Sequence, residues 1–170
     1  LPVGHTSKIR NSCCLSVLAV DVALSKLVVL WQQDNLPHDC YRLSPLLHHS
    51  IPGGVIITSA NALLVACQDG IVGLAMNGFA GIIPTETIRL QSSTLATGIE
   101  LDASKIIEAG NNCIVISLKD GQLLQVKFIV PMESSWTGLR FEPEIIASSI
   151  RARCFCASED MELWFLGSAV

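Results

Sequence analysis

What this chain has little of is charge. Asp, Glu, Lys and Arg make up 15% of its 170 residues, half are apolar, and the mean hydropathy is +0.50. That is greasy for a soluble domain and raises a membrane span as the first possibility. The long hydrophobic run such a span needs is also lacking. The longest apolar runs, such as residues 62–67, and shorter ones such as 54–57 and 114–116, fall far short of the ~20 residues that cross a bilayer as a helix. Short apolar runs broken by Gly, Asn and Asp describe strands covered on both faces instead.

Clustered positive charge is missing as well. Eleven Lys and Arg against fifteen Asp and Glu leave a net charge of -4, and basic residues come close together only in isolated pairs, such as Arg151 and Arg153. Gripping a nucleic-acid backbone takes a basic stripe that neutralises phosphates, and no such platform is present. An even cysteine framework is absent too: Cys13, Cys14, Cys40, Cys67, Cys113, Cys154 and Cys156 are seven, irregularly spaced. Inside apolar strand-like segments cysteine behaves as a small hydrophobe, so a reducing, intracellular compartment is expected. The sequence begins at Leu1 without a Met and stops just after the strand-like MELWFLGSAV, so it is expected to be a piece of something longer.

No catalytic pattern stands out. There is no Gly-x-Ser-x-Gly elbow, and Ser59, His49 and Asp69 form a triad only on paper. His38, Asp39 and Cys40, with His48 and His49 nearby, are ligand-type residues without zinc spacing; adjacent histidines in an extended chain face opposite ways. They are expected at a solvated strand edge. Cys154 and Cys156 share a strand face but have no second pair, and are expected to pack in the interior. Gly53 and Gly54, after Pro52, lead into a strand and not a helix, which suits a tight turn better than a phosphate loop. Trp31 and Trp164, in strands, are expected in the core; Trp136, in a polar loop, is the better candidate for a partner contact. No residue is singled out as catalytic, cofactor-binding or metal-ligating, and the partner-contacting residues stay open.

What the sequence does have is repetition of strand, turn and strand. The clearest instance is residues 114–126, where Lys119, Asp120 and Gly121 separate two apolar runs. Asp-Gly in that position is a strong hairpin signal, since a two-residue type I′ turn needs positive φ at both central residues. A weaker copy runs from residue 62 to 76 through Gln68, Asp69 and Gly70. Asp69 and Asp120 stand 51 positions apart, near the upper end of propeller-blade periods.

Along the chain, strands are expected at 12–20, 25–31, 40–47 (interrupted by Pro45, hence an edge or a bulge), 54–59, 62–67 and 71–76. Further strands follow at 98–101, 105–108, 113–118, 122–130, 139–141, 150–157 and 162–166, with loops at 77–85 and 131–138. Segments 85–91 and 144–150 could alternatively be short helices. Many short strands with a turn every 8 to 12 residues indicate a sandwich, barrel or propeller, and the four-strand grouping favours the last. The expected fold is therefore all-β: residues 1–170 as an incomplete WD40-like β-propeller of about three to four blades. Candidate blades are 12–35 (partial), 40–76, 98–130 and 139–170 (truncated).

Read in order, four groups of residues carry a family likeness. They are Trp31 with Leu36, Pro37, Asp39 and Cys40; Pro52-Gly53-Gly54-Val55; Val115-Ile116-Ser117-Leu118-Lys119-Asp120-Gly121; and Phe165-Leu166-Gly167-Ser168. Together they resemble the first propeller of the cleavage and polyadenylation specificity factor large-subunit family. The damaged-DNA-binding protein large subunit and the propeller subunit of splicing factor 3b are akin to it. The resemblance implies a nuclear scaffold of three propellers in messenger-RNA 3′-end processing, holding partner subunits that read the polyadenylation signal and cut the RNA. It implies no enzymatic activity and no cofactor. It also implies RNA binding through the complex, to which the acidic balance here suggests little direct contribution. The competing reading is an independent small β-rich enzyme or ligand-binding domain, which would need a closed fold and a pocket of perturbed titratable groups.

Overall fold

The computed structural model describes residues 13–46, 51, 53–82, 88–110, 112–130, 138–158 and 162–168. Within them the chain is strand apart from its turns and one 3-10 segment, Gly78–Ile82. Among the described residues no helix is long and apolar enough to cross a membrane.

Strands β1 (Cys13–Asp21) and β2 (Lys26–Leu36) form an antiparallel hairpin. A five-stranded sheet follows in the order β3 (Cys40–Leu46), β4 (Gly54–Ser59), β5 (Ala62–Cys67), β6 (Gly70–Ala75) and β7 (Ile88–Ser92). Its first four strands are an antiparallel meander, and β7 joins parallel to β6. The next sheet is four-stranded: β8 (Lys105–Glu108), β9 (Cys113–Ser117), β10 (Gln122–Ile129) and β11 (Arg140–Ser148). A second hairpin, β12 (Arg151–Ala157) with β13 (Leu163–Ser168), ends the described chain.

Burial explains why the apolar runs are continuous. All six residues of β5, ALLVAC, are buried. Leu63 and Val65 face a core shared with Ile116, Leu124, Val126 and Phe128 of the four-stranded sheet. Ala62, Leu64 and Ala66 face the other way, onto Leu15, Leu36 and Trp31 of the first hairpin. A strand sandwiched between two layers has no polar face to alternate with, so period-2 patterning vanishes.

The sheets are stacked in chain order, and their first strands converge. Leu43 and Ser44 of β3, Ile106 and Ile107 of β8, and Cys156 and Ala157 of β12 line one cleft of 450 Å³. Face-to-face, mainly antiparallel sheets whose leading strands meet along one line are the arrangement of propeller blades, and the described residues form a partial β-propeller-like assembly with no closed barrel among them.

Several local expectations are corrected. Residues 98–101 are not a strand; they cross between sheets, with the Ile99 amide donating to the Met76 carbonyl at 3.0 Å and that of Leu101 to Ala60 at 2.8 Å. Residues 139–141 do not open a third sheet: Phe141 lies opposite Phe128, which makes β11 the outer strand of the second. Segment 144–150 is strand to Ser148, and of the alternative helix at 85–91 residues 88–91 belong to β7, while 85–87 lie outside the described residues. In each case pairing with a distant edge overrides a weak local signal.

The turns differ too. Gly121 has φ +87 but neither Lys119 nor Asp120 has positive φ. The Leu118 amide donates to Gln122 at 2.9 Å and the Gly121 amide to Leu118 at 3.1 Å. This closes a three-residue loop with one left-handed glycine, not the expected type I′ pair. Upstream, Cys67 pairs with Gly70 across Gln68 and Asp69, so the first Asp-Gly straddles the turn and the strand.

Candidate interaction surface

Two polar clamps fix the five-stranded sheet to the four-stranded one. At the first-strand edge the Tyr41 hydroxyl donates to the Leu101 carbonyl and lies 3.1 Å from Ser104 Oγ. Beside it, Arg42 Nη2 donates to the Ile106 carbonyl at 3.2 Å. Burial raises the Tyr41 pKa, so the phenol stays protonated as this donation requires. At the opposite edge the Gln91 side chain grips one residue of β11 twice. Its Nε2 donates to the Phe141 carbonyl at 2.6 Å, and its Oε1 accepts from the Phe141 amide at 2.9 Å.

The residues with ligand or catalytic potential are used structurally. Asp39 Oδ2 accepts from Ser59 Oγ at 3.3 Å and Asn61 Nδ2 at 3.0 Å. Ser59 Oγ in turn accepts from the amides of Asn61 and Ala62. Asn77 Nδ2 extends this chain to Asn61 Oδ1 at 3.0 Å and the Ile99 carbonyl at 2.9 Å. Asp39 is thus a turn-closing acceptor and not a bare strand edge. Asp69 sits in the turn at the other end of β5, roughly 17 Å from Ser59 by strand rise, so no triad assembles. Among the described residues no group of three or more His, Cys, Asp or Glu could hold a metal. His48, His49, Pro52 and Trp136 lie outside the described residues.

Gly53 (φ +70) and Gly54 make the expected turn into β4, where a Cβ on Gly54 would stand 2.9 Å from Ile51 Cγ2. Pro45 sits in β3, the edge strand of its sheet, opposite Val55. Cys67 is buried and Cys40 half-buried, and burial is the leading cause that pushes the Cys40 thiol up to about 12, with the Asp39 carboxylate adding to it. Burial likewise raises Cys67 and Cys113. Cys154 and Cys156, expected inside, are exposed. Trp164, also expected in the core, is 59% exposed, whereas Trp31 packs partly buried against Leu15 and Leu36. The reason is common to Cys154, Cys156 and Trp164: β12 and β13 form only a two-stranded sheet, which leaves side chains on its faces uncovered.

Among the described residues, exposed large hydrophobics are most concentrated on the far half of the first hairpin. Leu27, Val28, Val29 and Leu30 are consecutive and all exposed, joined by Leu18, Val20, Val22 and Leu24. Neighbouring strand residues point to opposite sides, so both faces of the hairpin are bare and apolar. Away from this hairpin, at the surface, Lys119 pairs with Glu100 and Lys127 with Glu144 at 4.0 Å. Sequence reasoning missed Gln91, Phe141, Tyr41 and Arg42. Nothing local marks a Gln as a surrogate strand partner.

A stack of mainly antiparallel, apolar sheets joined by polar clamps is the architecture of a partial β-propeller. No family model matches the chain. Curated relatives do: the cleavage and polyadenylation specificity factor subunit 1 of Arabidopsis thaliana is 32% identical over 126 residues, 74% of this chain and 8% of that protein. The probable subunit 1 of Oryza sativa subsp. japonica is 28% identical over 124 residues, 71% of this chain and 8% of the relative. The resemblance read from Trp31 to Ser168 is thus a real sequence similarity to the large subunit of that factor, and the chain spans about a twelfth of the relatives' length.

Proposed function

We propose that this chain supplies neighbouring blades of a propeller in a non-catalytic scaffold subunit of a nuclear complex for messenger-RNA cleavage and polyadenylation. The observation that carries this reading is the similarity to two proteins named subunit 1 of the cleavage and polyadenylation specificity factor. The clamped sheet stack supports it, since Asp39, Ser59 and Asn61 are engaged in holding a turn and not poised for chemistry. In this role the blades comprise β3 to β7 and β8 to β11, flanked by partial blades at either hairpin, and the bare faces of β1 and β2 are covered by further strands of the full-length protein. RNA is reached through partner subunits, in keeping with a net charge of -4 and the absence of a basic stripe.

The test is co-purification. Tagged full-length protein is expected to bring down the subunits of a cleavage and polyadenylation complex, and deletion of residues 13–168 is expected to remove at least one of them. Retention of every subunit after that deletion would count against the scaffold role.

A further inference from the structure

Asn77-Gly78 leads from β6 into the 3-10 segment, and it is the one place in the sequence where glycine follows asparagine. Nothing in the packing calls for that glycine. Gly78 is exposed, its φ is not positive, and a Cβ built on it meets no described atom within 4 Å. Alanine would fit the fold equally well. What the missing side chain does change is chemistry, because without a Cβ the Gly78 amide nitrogen has unhindered access to the side-chain carbonyl carbon of Asn77.

The Asn77 side chain is also a fastening point. Its Nδ2 uses both hydrogens, one on Asn61 Oδ1 at 3.0 Å and one on the Ile99 carbonyl at 2.9 Å, and its Oδ1 accepts from the Phe79 amide at 3.0 Å. The Ile99 amide in turn donates to the Met76 carbonyl. One carboxamide therefore ties segment 98–101, which crosses between the large sheets, to the end of β6. Any reaction that expels Nδ2 must first break both of its bonds, so it waits on local opening.

We propose that Asn77 is a site of spontaneous deamidation, gated by the hydrogen bonds with which it holds the crossing segment. The Gly78 nitrogen gives up its proton to hydroxide and bonds to Asn77 Cγ. The Cγ–Nδ2 bond breaks, and Nδ2 takes a proton from water and leaves as ammonia, closing a cyclic imide. Water then opens the ring at either carbonyl, leaving aspartate or isoaspartate at position 77. The net reaction is hydrolysis and needs no enzyme or oxidant. The new carboxylate has only acceptors to set against the Asn61 and Ile99 oxygens, so the two bonds do not re-form. Turning the Asn61 carboxamide to meet it would forfeit the bond from Asn61 Nδ2 to Asp39. The crossing segment is left loosened, whatever complex the protein serves.

The experiment ages the full-length protein in heavy-oxygen water and follows position 77 by peptide mass spectrometry, with isoaspartyl methyltransferase labelling to separate the two products. Slow conversion with uptake of heavy oxygen is expected in the native protein, quickening as pH rises, and at least about tenfold faster in urea. Gly78→Ala, which has room for its methyl group, is expected to slow conversion at least about tenfold in urea and native buffer alike, with thermal melting unchanged. Amide exchange at Ile99 and Leu101 should be faster in aged protein than in fresh. No conversion of the native protein while the urea-unfolded chain converts, equal rates in the two, or indifference to Gly78→Ala would each overturn the site. Unchanged exchange at Ile99 and Leu101 after conversion would overturn its link to the crossing segment.

Discussion

Gly121 and Ser149 are locked together backbone to backbone. The Ser149 amide donates to the Gly121 carbonyl at 2.7 Å, and a Cβ built on Gly121 would stand 2.4 Å from the Ser149 carbonyl oxygen. The tip of the β9–β10 hairpin thus fixes the point where β11 ends and the chain turns toward β12.

Gly121→Ala is therefore expected to cost at least about 2 kcal/mol. The left-handed conformation alone costs an L-residue roughly 1–2 kcal/mol, and the collision is with backbone that cannot swing aside. Asp120→Ala, which removes only the 3.0 Å acceptor of the exposed Gln122 amide, should cost about 1 kcal/mol or less. Amide exchange across residues 113–129 of the full-length protein would separate the two; equal effects would contradict the role given to Gly121.

Tyr41→Phe should loosen the first-strand clamp by about 1–2 kcal/mol, because the Leu101 carbonyl loses its hydroxyl donor while the ring still packs. Exchange at Leu101 and Ser104 is expected to quicken roughly tenfold, with β5 unchanged. No change at residues 101–104 would mean that the hydroxyl is not a clamp.

The isolated 170-residue chain is expected to self-associate, since β1 and β2 expose apolar side chains on both faces and unpaired edges remain at β2 and β13. Leu27→Lys with Leu30→Lys should reduce that association in sedimentation experiments. A sharply melting monomer of the unaltered chain would refute this and favour an independent domain.

Cys40 should be the slow thiol. With its pKa raised from 9.0 to about 12 it remains protonated at pH 8, and the exposed Cys14, Cys154 and Cys156 should be alkylated by iodoacetamide well ahead of it. Folding holds the proton more tightly than the unfolded chain does, so this contribution is whole below about pH 9 and is lost as pH rises from 9 towards 12. Cys40→Ala should flatten that alkaline decline; an unchanged slope would assign it to other groups.

Much of the strand pattern was legible in the chain itself. Residues 54–59, 62–67 and 105–108 match β4, β5 and β8 to the residue, because Gly, Asn and Asp punctuate their apolar runs. The same runs could not say which faces would be covered. LVVL in β2 and ALLVAC in β5 are equally apolar, yet one is bare and the other enclosed, according to how many sheets happen to stack beside each. Cys154, Cys156 and Trp164 were misjudged for that reason. Conversely, residues 139–141 and 88–92 carry too little pattern to reveal their partners.

The sequence by itself determined an all-β repeat, sparse in charge, with no phosphate-gripping stripe, and a likeness to one protein family. It did so because turn chemistry and apolar runs are local properties. Only the tertiary structure decided that Asp39 and Ser59 close a turn, that β11 joins the second sheet, and that the Gln91 side chain binds both main-chain groups of Phe141. Those depend on groups 20 to 50 residues apart meeting at hydrogen-bond distance, which no local pattern encodes.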